Sequence, residues 1–151
     1  MNVAEICKPH VVTVREFDEL ITAAKLMRER HVGYLVVVEP LPLDAKLKPV
    51  GVLTDRDLVV AVLAKEVDPR SLRVADVMTR MPIVVDEERS LEFALQEMRR
   101  IGVRRLPVTS SAGNLVGILS LDDVVDALAR QFQDLSASIR GELRMEAALR
   151  P

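Results

Sequence analysis

Apolar positions along the chain change their period several times, and they do so in the same order twice. "HVVTV" (His10–Val14) and "PIVV" (Pro82–Val85) are short apolar stretches that predict strands. An amphipathic helix is predicted after each. In the second, Leu91, Leu95, Met98 and Ile101 fall on one face at helical spacing. Ser90, and Asp18 in the first half, stand where N-caps belong, and Gly33 and Gly102 stand where the helices should stop. Strands are expected next at Tyr34–Val38 and Leu106–Thr109. The unbroken "YLVVV" predicts burial on both faces of its sheet. Pro107 has no N–H to give a ladder, so its strand is expected at an edge or a bulge. A hairpin then leads to "VGVL" or "VGIL" and a second helix. The order is β-α-β-β-α in each half.

The repetition extends to individual residues. At an offset of 71, "VAEI" from Val3 meets "VADV" from Val74, Met27 meets Met98 and Val37 meets Val108. Beyond the hairpin the offset becomes 66, so that Gly51 meets Gly117, Thr54 meets Ser120 and Asp57 meets Asp123. The change falls between "EPLPLDAKLKP" and "SSAGN", turn-forming stretches where altered length costs little. The expected organisation is a first repeat over 1–65, a linker over 66–73, a second repeat over 74–130 and an amphipathic helix over 131–151. Phe132, Leu135, Ile139 and Leu143 form the stripe of that last helix, which must cover its own module, a second copy or a partner. Repeats of this size are marginal alone. They should therefore pack sheet to sheet as a pseudo-two-fold pair, and any cleft at the seam would be presented twice.

Composition narrows the classes of function. The chain has 151 residues, is 49% hydrophobic but only 3% aromatic, and carries a formal net charge of -2. That balance argues against nucleic-acid binding, which rests on excess positive charge. The single cysteine, Cys7, permits no internal disulfide and suits a reducing compartment. No run is long enough for a membrane span, and no leader pattern precedes the first repeat. A complete cytoplasmic protein is expected. Cys7, His10 and His31 match no zinc spacing, and neither a nucleophile nor a general base can be named. The expectation is therefore no enzyme, no metal and no cofactor.

Candidate chemistry lies in the duplicated device. Thr54 with Asp57, and Ser120 with Asp123, have the spacing of a capping box, which ties down a helix start. The same carboxylates could instead point into a cleft, where a carboxylate can accept from both hydroxyls of a ribose. Gly51 and Gly117 nearby would allow a flat ring to approach. Spacing alone leaves both readings open. Arg104 and Arg105 lead into a strand, so one of them could face a cleft and hold phosphate through its planar fork, or both could be surface charge. The matching residues of the first half are Gly33 and Tyr34.

The β-α-β-β-α order written twice, with "VADVMT", "GVRRLPV" and "GILSLDD", resembles a tandem pair of CBS domains, a Bateman module, from Val3 to about Arg130. The resemblance implies a mixed α+β fold and a regulatory ligand, AMP, ADP, ATP or a related adenosyl compound, between the repeats. It implies ribose contacts from Thr54, Asp57, Ser120 and Asp123, phosphate contacts from Arg104 and Arg105, and an adenine pocket lined by Val12, Thr79 and Ile83. It further implies a homodimer that signals to a separate effector protein. The rival expectations are a ligand-free dimerisation module, in which the two aspartates act only as caps, and a nucleic-acid binder.

Overall fold

The structure, a computed structural model, describes residues 1–41 and 46–150. The part of the first hairpin turn at 42–45, where the two repeats differ in length, lies outside the described residues, as does Pro151.

Each repeat folds as its pattern predicts, into a small sheet covered by helices. In the first, strands β1 (Thr13–Val14), β2 (Tyr34–Pro40) and β3 (Leu47–Thr54) surround helix α1 (Leu20–Arg30) in sequence, and the short helix α2 (Asp55–Leu58) follows. A π-helical turn over Val59–Leu63 continues α2. After helix α3 (Val74–Val77) and strand β4 (Thr79–Arg80), the second repeat has β5 (Val85–Asp86), α4 (Leu91–Ile101), β6 (Arg105–Thr109), β7 (Leu115–Ser120) and α5 (Leu121–Leu149). In both sheets the first strand runs parallel to the second and the hairpin partner is antiparallel.

The leading arm of each repeat crosses to the other. β4 adds to the first sheet beside β3, pairing Val52 with Thr79. Reciprocally, Lys8 exchanges both backbone hydrogen bonds with Ile118 at the edge of the second sheet, each 2.9 Å. The arms also tie down the other repeat's helix starts at the 71-residue offset. Val3 N–H donates to the Arg89 carbonyl and Val74 N–H to that of Asp18. Ala4 donates to Glu87, and Ala75 to Glu16. Val74 and Met78 therefore lie in the first core with Leu20, Leu35 and Leu53, and Val3 lies in the second with Leu91, Leu106 and Leu119.

Burial of β2 on both faces matches the "YLVVV" expectation: Leu35 and Val37 enter the first core, while Val36 and Val38 are buried on the opposite side. β3 contacts β7, so the sheets meet at a seam.

Several local expectations need correction. The strands at His10–Val14 and Pro82–Val85 are paired only over Thr13–Val14 and Val85–Asp86. β6 is the middle strand of its sheet, not an edge. Pro107 is tolerated because it lies short of the stretch of β6 that β5 pairs, and a bulge follows between Val108 and Thr109. The equivalent Val36 does donate, to the Val12 carbonyl. Gly102 ends α4 in the left-handed conformation as expected, but α1 ends at His31, with φ 54°, and not at Gly33. Asp18 is not the cap of α1. Its carboxylate accepts from Arg15 N–H, and the first N–H of the helix, that of Leu20, is satisfied by Leu72 of the crossing arm. Gly51 and Gly117 make room for protein, not for a ring. A Cβ on Gly117 would lie 2.8 Å from the Lys8 carbonyl, and one on Gly51 would lie 2.8 Å from the Met78 sulfur.

The stretch from Gln131 to Leu149 continues α5 without a break, and every residue from Leu128 to Arg150 is exposed. It does not pack on its own module.

Candidate functional site

Two clefts open at the seam, related by the repeat. The larger, about 350 Å³, is lined from the first repeat by Lys8, His10, Val12 and Tyr34, and from the second by Arg105, Ser120 and Asp123. The smaller, about 230 Å³, is lined by Thr79, Ile83 and Val103 with Tyr34 and Arg105. Val12 therefore sits in the first cleft, and Thr79 and Ile83 in the second.

The duplicated device forms a full capping box in both repeats. Ser120 Oγ accepts from Asp123 N–H at 3.1 Å, and Asp123 Oδ2 accepts from both the N–H and the hydroxyl of Ser120. Thr54 Oγ1 accepts from Asp57 N–H at 3.1 Å, and Asp57 Oδ2 accepts from Thr54 N–H at 2.8 Å. The two copies then diverge. Asp123 is buried and faces the larger cleft, where its Oδ1 meets Lys8 Nζ at 2.6 Å. Asp57 is half-buried, and neither it nor Thr54 lines the smaller cleft.

Electrostatics follow from this placement. Burial opposes the Asp123 charge, but the Lys8 ammonium and the Ser120 hydrogen bonds outweigh it and hold the carboxyl below the ordinary aspartate range. The same contact raises Lys8. Tyr34 is pushed well above the usual phenol value by burial, against the pull of Arg105, so its hydroxyl stays neutral. The Cys7 thiol is raised by burial and then by Glu87 and Asp123, which disfavours the reactive thiolate.

The basic pair splits at the start of β6, Arg104 lying just before the strand and Arg105 opening it. Arg104 lines neither cleft and bonds Asp122, a wall residue of the larger one, at 3.2 Å. Arg105 lines both clefts, and among the described residues its side chain makes no hydrogen bond or ion pair. Lys8, His10, His31 and Tyr34 were missed as cleft residues. The repeat offset held the signal for two of them, since Lys8 is the counterpart of Thr79 and Tyr34 that of Arg105. The histidines gave none, because no motif marks them.

The arrangement offers a buried carboxylate with hydroxyl-accepting geometry, an untied guanidinium and apolar walls. These suit a ligand with a diol, an anionic tail and a flat apolar part. Residues 3–64 and 74–130 match the family model of the CBS domain. An uncharacterized protein of Methanopyrus kandleri is 30% identical over 125 residues, covering 83% of this chain and 61% of that protein. The inosine-5'-monophosphate dehydrogenase of Korarchaeum cryptofilum is 33% identical over 141 residues, which are 93% of this chain but 27% of the enzyme. The chain thus spans less than two thirds of either relative. A CBS domain protein from Pyrobaculum aerophilum, solved in complex with AMP, superposes with a TM-score of 0.71 at 27% identity, over 82% of this chain and 89% of that one. No helix among the described residues is long and apolar enough to cross a membrane.

Proposed function

Because this chain belongs to the CBS-domain family and carries two copies in tandem, we propose that it is a cytoplasmic regulatory module, not an enzyme, that binds an adenosine nucleotide such as AMP, ADP or ATP at the seam. One observation carries this: Asp123, buried and charged, faces a cleft that also holds Arg105. The AMP complex of the Pyrobaculum relative supports the ligand class. In the larger cleft the ribose diol donates to Asp123 with Ser120 beside it, the phosphate meets Arg105, and Val12 contacts the ring. Lys8 must leave Asp123 for this, and the phosphate is its natural new partner. In the smaller cleft Thr79 and Ile83 serve the ring. Thr54 and Asp57 must turn towards that cleft to serve the ribose, and Arg104 must release Asp122 to reach any phosphate. Ligand binding shifts how the repeats, or two copies in a homodimer, sit together, and a separate effector protein reads the shift. That energy can come only from unequal affinity for the two arrangements.

Calorimetry with AMP, ADP and ATP on the wild type and on Asp123→Ala tests the proposal. Binding by the wild type that is lost in the variant is expected. No heat with any of the three nucleotides would remove the nucleotide reading.

A second reading has its own support. Lys8 already satisfies Asp123, and Asp57 serves only its cap. A ligand-free dimerisation module would look the same. It requires that Asp123→Ala lowers the melting temperature while no nucleotide raises it.

A further inference from the structure

Arg105 and Tyr34 occupy equivalent positions in the two repeats, 71 residues apart, and both line both clefts. The pseudo-two-fold relation thus brings them to one place, between the two sites. A symmetric module would put a cation from each repeat there, one for each cleft. This chain supplies one guanidinium and one phenol, and burial keeps the phenol neutral. Arg104 does not make up the difference, because it lines neither cleft and is paired with Asp122.

The clefts differ further in what surrounds that guanidinium. The larger has a second cation, Lys8, and two histidines, and also three carboxylates, of which Lys8 pairs Asp123 and Arg104 pairs Asp122, leaving Asp126. The smaller has no charged group except Arg105; Thr79 and Tyr34 are its polar side chains, and the rest of its wall is apolar. A phosphate dianion taken into the smaller cleft would depend on Arg105 alone. If Arg105 were already engaged from the larger cleft, that dianion would have no counter-charge in the smaller cleft and would lie beside a second phosphate, which repels it. One planar fork also matches one phosphate at a time.

We infer that the two clefts compete for Arg105, so that the chain holds one phosphorylated nucleotide, in the larger cleft, while the smaller accepts only an uncharged adenosyl ligand. The inference rests on the nucleotide reading above and adds to it the stoichiometry and the specificity of each cleft.

The test is calorimetry with native mass spectrometry, using AMP and adenosine as probes. Wild type should take up one AMP per chain, and the AMP-saturated protein should then take up one adenosine. Arg105→Gln alters an exposed side chain. It should weaken AMP about tenfold or more, the loss expected for charged hydrogen bonds, and leave adenosine nearly unchanged. Tyr34→Arg gives the seam its missing cation, and AMP uptake should rise to two per chain. If that variant of a half-buried position does not fold, Arg105→Gln decides. Two AMP of similar affinity on wild type would overturn the inference alone. So would failure of adenosine to join the AMP complex, or an unchanged ratio of AMP to adenosine affinity in Arg105→Gln. Failure of both probes to bind wild type would overturn the nucleotide reading and this inference with it.

Discussion

At the scale of single residues, Asp123 has two duties. It caps α5 through Ser120 and joins the repeats through Lys8. Replacing it with Ala should cost about 1 kcal/mol from the box's return hydrogen bond alone, measured by urea unfolding. Its pH dependence has a defined sign. A carboxyl held below its unfolded value of about 3.9 contributes stability above that pH and loses it as acid protonates the folded form. Lys8 and Ser120 favour its charge, and burial opposes it; Cys7, Asp122 and Asp126 are the other titratable groups nearby. Melting curves between pH 6 and about pH 3 should therefore fall more gently for Asp123→Asn than for wild type. An identical acid limb would show that Asp123 is not the group responsible. The capping boxes were legible from spacing, since Ser and Thr three residues before Asp is a local signal. Which of the two carboxylates faces a cleft was not legible, because that depends on Lys8, 115 positions from Asp123 in the chain.

At the scale of elements, the crossing arms explain the glycines of β3 and β7. Gly117→Ala puts a methyl against the Lys8 backbone, which cannot swing away as a side chain could. It should destabilise by about 1–3 kcal/mol. Gly141 sits in the exposed part of α5 with nothing within 4 Å of an added Cβ. Gly141→Ala should therefore raise helicity and stabilise by about 0.5–1 kcal/mol, read by circular dichroism. The exposed stripe of α5 runs through Val125, Leu128, Phe132, Leu135, Ile139 and Leu143. From Val125 to Ile139 its flanking positions are uncharged: Ala129, Gln131, Ser136 and Ser138. A neutral, self-complementary face fits a second copy in the proposed homodimer. Leu135→Asp should lower the mass found by light scattering without changing the melting of the sheets. The stripe itself was read correctly from its period. Its continuity with the preceding helix is not legible, because the repeat ends near Arg130 and no local signal there distinguishes one long helix from two.

At the scale of the whole molecule, the arms couple two cores that are each small. Val3 and Val74 are fully buried in the core of the opposite repeat. Either one changed to Ala should cost about 2 kcal/mol, and the protein should still unfold in a single transition followed by any probe. Separate transitions for the two halves would contradict this coupling. The same exchange builds the clefts, since each wall combines one repeat's arm with the other's hairpin.

By itself the sequence determined the number of repeats, their β-α-β-β-α order, the doubled caps and the burial of β2. All of these are set by local period and spacing, which two similar segments must fold in the same way. Tertiary structure alone decided that the arms cross, that α1 ends at His31, that one aspartate of two faces a cleft, and that Arg105 lines both clefts. Those outcomes depend on contacts between residues far apart in the chain. Near-identical local signals acquire different surroundings there, because the pseudo-two-fold relation is broken by the side chains that meet across it.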